Sequence, residues 1–170
     1  LPRILRRLDN LKEYFNIDAS VEELIKVRRK MVLEDMSLVK VNKGLYELLD
    51  LLDKLSIKKA VATSAFKEFV EKILAVFDLE KRFEAIVMGH EVTHSKPHPE
   101  IFLEAAKKLG VAPEDCLVLE DAQIGVEAAY NAGMHVFAIP HQDSKDHDFS
   151  KATKILSSML AIDEQVLSTL

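Results

Sequence analysis

An apolar segment of this sequence ends in two adjacent carboxylates, Glu120 and Asp121. The segment before them, residues 116–119, has the continuous apolar character of a buried parallel strand, and residues 122–131 favour a helix. In open α/β sheets, ligands bind beyond the carboxyl ends of the strands. Two acidic groups are costly there unless a cation neutralises them, and a hard divalent ion such as Mg2+ is the usual partner. The pair predicts a metal-assisted site, although two carboxylates would also suit the amino end of a helix.

Hydroxyl and ammonium side chains follow two other predicted strands. Thr63 and Ser64 end the strand 59–63, and Lys96 lies in the loop after the strand 85–88. A hydroxyl and a neighbouring backbone N–H can bind phosphoryl oxygens, while an ammonium offsets their charge and a carboxylate holds the metal. Each residue also has an ordinary explanation, Thr63 as a strand former and Lys96 as a surface lysine. Their combination at one sheet edge favours a site for a phosphoryl group with Mg2+.

The elements that would position these groups change character near residue 42. Before it the sequence predicts only helices, one over residues 4–15 and one that a capping box of Ser20 and Glu23 opens and that runs to about residue 35. After it, helices alternate with strands, which predicts an α/β fold with a parallel sheet. The predicted helices are 45–52, 67–76, 97–109, 122–131 and one from about 162, and the strands are 59–63, 85–88, 116–119, 134–138 and 152–156.

Composition narrows the class of protein. The 170 residues are 48% apolar and 30% charged, as in ordinary globular proteins, and the net charge of −5 disfavours nucleic-acid binding. The single cysteine, Cys116, fits a reducing compartment and is predicted to pack in a strand. No segment has the length of a membrane span or the composition of a secretory signal. We therefore expect a soluble cytoplasmic protein with neither nucleic-acid nor membrane partners.

A second motif, His90-Glu91-Val92-Thr93-His94, matches the zinc-protease pattern H-E-x-x-H. That chemistry needs a helix that places both imidazoles on one face. Gly89 precedes the motif and two prolines follow it closely, so a long helix through it is not expected. The motif is therefore interpreted as a loop that carries histidines.

In the types and spacing of these residues, the sequence resembles the haloacid dehalogenase-like superfamily, in its β-phosphoglucomutase and pseudouridine-5′-phosphatase-like branch. The resemblance covers about residues 45–156, and the long, spaced combination of its motifs is specific. The matched stretches are Ala60 to Ser64, Ser95 to Phe102 and Cys116 to Ala129. The resemblance implies a Rossmann-like parallel-sheet core, at residues 42–170, and a helical cap whose second half is residues 1–41.

The resemblance also assigns roles to the candidate residues. It implies that Thr63 and Lys96 are catalytic and, with Ser64, bind the substrate's phosphate, and that Asp121 and Glu120 hold Mg2+, directly or through water. The carboxylate pair argues against a haloacid dehalogenase proper, which needs no metal. The implied function is a Mg2+-dependent phosphatase of small phosphorylated metabolites, of the sugar or nucleoside phosphate type.

One feature of the family is missing from the sequence. Family chemistry starts from a strand that ends in Asp-x-Asp, whose first aspartate forms an aspartyl-phosphate and whose second is the general acid/base. The only Asp-x-Asp here, residues 146–148, follows a polar segment and is predicted to be a solvated loop. We therefore expect the nucleophile to lie outside this chain, which would leave two buried strand edges of the core unpaired.

Three functions remain open at this point. The first is the phosphatase, which we expect to be a monomer if a segment with the nucleophile is present. The second is a catalytically inactive truncated form that binds a ligand or partner. The third is a phosphomutase, which returns the phosphoryl group, and residues of the cap would decide between it and the phosphatase.

Overall fold

The computed structural model describes residues 14, 16–34, 36 and 39–170, and it divides the chain into two compact units, residues 1–40 and 41–170. In the first unit, helix α1 (Val21–Glu34) begins with the predicted capping box. The Glu23 N–H donates to Ser20 Oγ at 3.2 Å, and the Ser20 N–H donates to the Glu23 carboxylate at 2.7 Å. The helix predicted over residues 4–15 falls almost wholly outside the described residues. That this unit is half of a cap stays a prediction.

The second unit alternates helices and strands, as the sequence predicts. Its regular elements, in chain order, are α2 (Leu45–Lys54), β1 (Ala60–Thr63), α3 (Lys67–Val76), β2 (Ala85–Met88), α4 (Glu100–Leu109), β3 (Leu117–Glu120), α5 (Gln123–Asn131), β4 (His135–Ala138), β5 (Lys154–Ile155) and α6 (Glu164–Leu167). Helix α4 ends at Gly110, whose φ of 66° is the left-handed conformation expected of a glycine cap. In the part of the chain that the structure describes, no helix is both long and apolar enough to cross a membrane.

All described strand pairs are parallel, which confirms the predicted α/β, Rossmann-like architecture. The described strands form two sheets, one of β1 and β2 and one in the order β3-β4-β5. Thr63 pairs with Met88 in the first sheet, and Glu120 pairs with Ala138 in the second. The last residues of β1 and β3 therefore lie at the carboxyl edges of their respective sheets.

The core has helices on both faces of the strands. Along β4, Val136 and Ala138 belong to the apolar cluster with helices α4 and α5, whereas Phe137 between them packs with Leu48 of α2 and with Ile162. Successive residues of a strand point to opposite faces, so both faces of β4 are covered. Continuous burial of this kind explains why the strands are apolar runs instead of alternating patterns.

A cluster of ion pairs holds the start of β1. Lys59 is 7% exposed, and its Nζ lies 2.5 Å from Asp53 Oδ1 and 3.7 Å from Glu84 Oε1. The backbone N–H of Lys59 also donates to Glu84 at 2.6 Å. These contacts join α2, the start of β1 and the segment before β2. They therefore hold in position the beginning of the strand that ends in Thr63.

The cluster predicts an acid-sensitive contribution to stability. The hydrogen bond from Lys59 lowers the pKa of Asp53 from its ordinary value. A lowered folded-state pKa stabilises the protein above the unfolded-state pKa, which is about 3.9 for aspartate. We expect Asp53→Asn to reduce the free energy of unfolding at neutral pH, and the difference from wild type to disappear as the pH falls through the folded-state pKa. Urea denaturation of both proteins at several pH values measures this difference in the free energy of unfolding. A difference that grew on acidification would contradict the lowered pKa of Asp53.

Candidate active site

Five residues predicted from the sequence line one cavity of about 410 Å3. They are Thr63 and Ser64 from the end of β1, Lys96 from the loop before α4, and Glu120 and Asp121 from the end of β3. The cavity lies where the carboxyl ends of the strands meet the amino end of α5, the position at which open α/β sheets bind ligands. The fold therefore brings together the hydroxyl, ammonium and carboxylate groups that the sequence analysis singled out.

Lys96 and Glu120 form a nearly buried ion pair in the lining of this cavity. Lys96 Nζ lies 2.5 Å from Glu120 Oε1, and each side chain is only 11% exposed. Lys96 Nζ also donates to the main-chain carbonyl of Ala62 at 3.3 Å and lies 4.5 Å from the centre of the Phe102 ring. The ammonium is thereby fixed between β1, β3 and α4, and its charge offsets that of the carboxylate.

Gly125, in the first turn of α5, lets the Glu120 carboxylate lie against the helix. A Cβ on Gly125 would lie within 2.3 Å of all three atoms of that carboxylate group. The close approach requires glycine here, in a helix where alanine would otherwise be the better residue.

The variant Gly125→Ala should therefore be destabilising. In an ordinary helix the change stabilises by about 0.5–1 kcal/mol, but here it forces Glu120 away from Lys96, and such overpacking costs about 1–3 kcal/mol. The free energy of unfolding from urea denaturation measures the effect. In a Glu120→Ala background the clash is gone, so the same substitution should be neutral or stabilising. Equal destabilisation in both backgrounds would contradict this explanation.

Thr63 and Ser64, at the carboxyl end of β1, also line the cavity and bring hydroxyl groups to it. Thr63 Oγ1 accepts a hydrogen bond from the backbone N–H of Ala65 at 3.1 Å. A threonine hydroxyl that accepts one bond can still donate its own hydrogen. It can therefore bind an anionic oxygen in the cavity, as a phosphoryl site requires.

Asp121 is the more exposed of the two carboxylates, at 54% of its side chain. Its Oδ2 lies 3.4 Å from Nε2 of His141, which follows β4. Sequence reasoning missed His141. Its place just after the carboxyl end of a strand was the available signal, but its contact with Asp121 depends on the loop that follows β4.

The predicted loop around Asp146-His147-Asp148 is confirmed. These residues lie in a turn in which both aspartates are exposed. Asp148 Oδ1 accepts from the Ser150 N–H at 2.8 Å, a bond that lowers the pKa of Asp148. Neither aspartate lines the cavity that contains Asp121.

The zinc-protease pattern is likewise not realised. His90 lies in a single 3-10 turn, Gly89–Glu91, and His94 lies beyond it in a bend. The Glu91 carboxylate accepts hydrogen bonds from Lys108 Nζ at 2.6 Å and from the Met88 N–H at 2.7 Å. The two imidazoles of the pattern therefore do not share a helix face. The loop predicted from the sequence is confirmed.

The chain is similar in sequence to a known protein family. Residues 5–139 match the model of the haloacid dehalogenase-like hydrolase family. The chain is 35% identical over 142 residues to a phosphorylated carbohydrates phosphatase of Thermotoga maritima, covering 83% of this chain and 63% of that protein. The chain thus spans less than two thirds of that relative.

Solved structures agree with this match. A putative β-phosphoglucomutase from Thermotoga maritima is 30% identical and superimposes with a TM-score of 0.74 over 99% of this chain and 82% of its own. CbbY from Rhodobacter sphaeroides, solved in complex with phosphate, is 24% identical with a TM-score of 0.81 over 89% of this chain and 70% of its own, a likeness of fold. Sequence, fold and comparisons together show that this chain belongs to the haloacid dehalogenase-like hydrolase family, in its β-phosphoglucomutase-like branch.

Proposed function

We propose that this chain is the greater part of a Mg2+-dependent phosphatase that hydrolyses phosphate monoesters of small phosphorylated metabolites. The observation that carries the proposal is the single cavity lined by Thr63, Lys96 and Asp121 at the carboxyl ends of two strands. Its hydroxyl, ammonium and carboxylate groups suit a phosphoryl group and a hard cation. The relative named as a phosphorylated carbohydrates phosphatase supports sugar phosphates as the first substrate class to test.

The donor set fits Mg2+. Asp121 offers a half-exposed carboxylate, and Mg2+ sites use one or two carboxylates together with water and substrate phosphate. Asp121 would hold the ion, and Glu120, whose Oε1 contacts Lys96, would support it through its other oxygen or a water molecule. Bound Mg2+ supplies positive charge that offsets the phosphoryl oxygens.

The protein's own residues would then position the phosphoryl group. The Thr63 hydroxyl donates to one phosphoryl oxygen, with Ser64 beside it. Lys96 lines the same cavity and balances both the Glu120 carboxylate and the incoming phosphoryl charge. Because Lys96 is held by Glu120 and by the Ala62 carbonyl before substrate arrives, little reorganisation is needed when charge develops.

We further propose that the aspartate nucleophile comes from a strand that is not part of this chain. A mainly apolar groove of about 720 Å3 is lined by residues of β1, β3, α2 and α4, and it shares Ala62, Leu119 and Glu120 with the cavity. In the described sheets, β1 is paired only with β2 and β3 only with β4, so each has a second edge for pairing. A strand seated parallel to both would end at Thr63 and Glu120, where an Asp-x-Asp sequence would reach the phosphoryl group.

The alternative of a non-catalytic binding protein is supported by one observation. Glu120 and Asp121 are the only carboxylates among the described residues that line the cavity, and the phosphatase proposal uses both to hold Mg2+, which leaves no carboxylate there as a nucleophile. Without an added aspartate, the cavity would bind a phosphorylated ligand without turnover.

Product analysis by 31P NMR distinguishes the candidates. The full protein would be incubated with a panel of sugar and nucleoside monophosphates, in Mg2+ and in EDTA. The phosphatase predicts inorganic phosphate that appears only in Mg2+, and a mutase predicts an isomeric sugar phosphate. If no phosphate ester changes, catalysis is contradicted, and the non-catalytic binding protein is the remaining candidate.

A further inference from the structure

Two histidines and a glutamate form a cluster outside the cavity, in the segment that leads into α4. One potential ligand atom from each of His94, His98 and Glu100 lies within 4.8 Å of the others. The His94 and His98 rings are stacked with their centres 4.4 Å apart. The proposed phosphatase chemistry uses none of the three side chains, so their arrangement calls for a separate explanation.

The glutamate carboxylate of this cluster is held in place by two backbone donors. The backbone N–H groups of Thr93 and His94 donate to Oε1 and Oε2 of Glu100, each at 2.8 Å. The carboxylate is therefore oriented before any ligand arrives, which reduces the cost of ordering it on binding.

Distances around Glu100 match the spacing of ligands on a small transition metal. Nδ1 of His94 lies 2.8 Å from Glu100 Oε2, and Nδ1 of His98 lies 3.8 Å from the same oxygen. Zinc bonds of about 2.0–2.1 Å in tetrahedral geometry put neighbouring ligand atoms about 3.4 Å apart. The two observed distances lie on either side of that value. A bound metal would replace the hydrogen bond between His94 Nδ1 and Glu100 Oε2 and the one that His98 Nδ1 accepts from the Glu100 N–H at 3.3 Å.

We propose that His94, His98 and Glu100 bind a divalent transition metal of the Zn2+ class, with water in the remaining position. Two imidazoles and one carboxylate are the ligand types of such ions, whereas Mg2+ prefers oxygen alone. The site is distinct from the Asp121 cavity, because the intervening Lys96 turns away to bind Glu120. The metal would cross-link His94 and His98, which flank Lys96 in the loop. Its structural effect would be to restrict the motion of that lysine.

Cobalt titration of the full protein tests the proposal, since Co2+ substitutes for Zn2+ and gives visible absorption when bound by imidazole. Wild type should bind one equivalent of Co2+ that Zn2+ displaces and excess Mg2+ does not. Loss of an outer-shell partner of a metal commonly costs 10–100-fold in affinity, so loss of a direct ligand in His94→Gln or His98→Gln should weaken binding by at least about 100-fold. Both histidines are exposed, and circular dichroism would verify that the variants fold.

His90→Gln is the matched control, because His90 is the neighbouring loop histidine that lies outside the cluster. It should bind Co2+ like wild type. The proposal is overturned if wild type binds no Co2+, if His94→Gln and His98→Gln bind as tightly as wild type, or if His90→Gln loses binding to the same degree. Phosphatase activity is not the readout, so failure here leaves the proposed function intact.

Discussion

Replacing Lys96 by methionine should lower the free energy of unfolding by about 3 kcal/mol and abolish the proposed phosphatase activity. Loss of the ammonium leaves the Glu120 carboxylate, only 11% exposed, without its partner at 2.5 Å. Breaking a buried pair from one side typically costs about 3–5 kcal/mol, because the remaining charge stays desolvated. Urea denaturation and a phosphate-release assay measure the two effects separately.

A second variant separates stability from catalysis. Adding Glu120→Gln to Lys96→Met removes the orphaned charge, so most of the lost stability should return. Activity should not return, because no ammonium faces the phosphoryl group. If the double variant is no more stable than Lys96→Met, the two side chains are not coupled as described; if it regains activity, Lys96 does not have the proposed role.

The variant Asp121→Asn should reduce kcat/KM for a phosphate ester by more than about 100-fold, with little effect on stability. A carboxamide keeps the shape of the side chain but loses the negative charge that would attract Mg2+. Loss of an outer-shell partner of a metal already costs 10–100-fold, so loss of a direct ligand should cost more. The exposure of Asp121, 54% of its side chain, explains the small expected effect on folding.

Asp146→Asn is the control for that measurement. Asp146 is also an exposed aspartate, but it lies in the turn after β4 and does not line the cavity. It should retain wild-type activity and the wild-type dependence on Mg2+ concentration. Full activity of Asp121→Asn, or equal loss in both variants, would argue against a metal site at Asp121.

Most helices and strands lie close to the residues predicted for them. Helix α3 spans the predicted residues 67–76, and Gly110 ends α4 as expected. The last elements were less accurate: the strand predicted over 152–156 is only Lys154–Ile155, and the final helix begins at Glu164. That helix starts at Glu164 because Asp163 caps it: the Asp163 side chain accepts a hydrogen bond from the Val166 N–H.

The candidate site was predictable as a set of residues but not as a network. The rule that parallel strands present their carboxyl ends together was enough to group Thr63 with Glu120 and Asp121. The pairing of Lys96 with Glu120 joins residues 24 positions apart, and no periodicity in the sequence reports such a contact. The same is true of His141 beside Asp121 and of His94 beside Glu100, because irregular loops set both distances.

A crystal structure of the full protein with Mg2+ and inorganic phosphate tests the central claim most directly. We expect the metal on an Asp121 carboxylate oxygen, and phosphate oxygens within hydrogen-bonding distance of Thr63 Oγ1 and Lys96 Nζ. We also expect a strand between β1 and β3 whose aspartate faces the phosphorus atom. Phosphate or Mg2+ bound elsewhere, with the cavity around Asp121 filled only by water, would contradict the proposed phosphatase site.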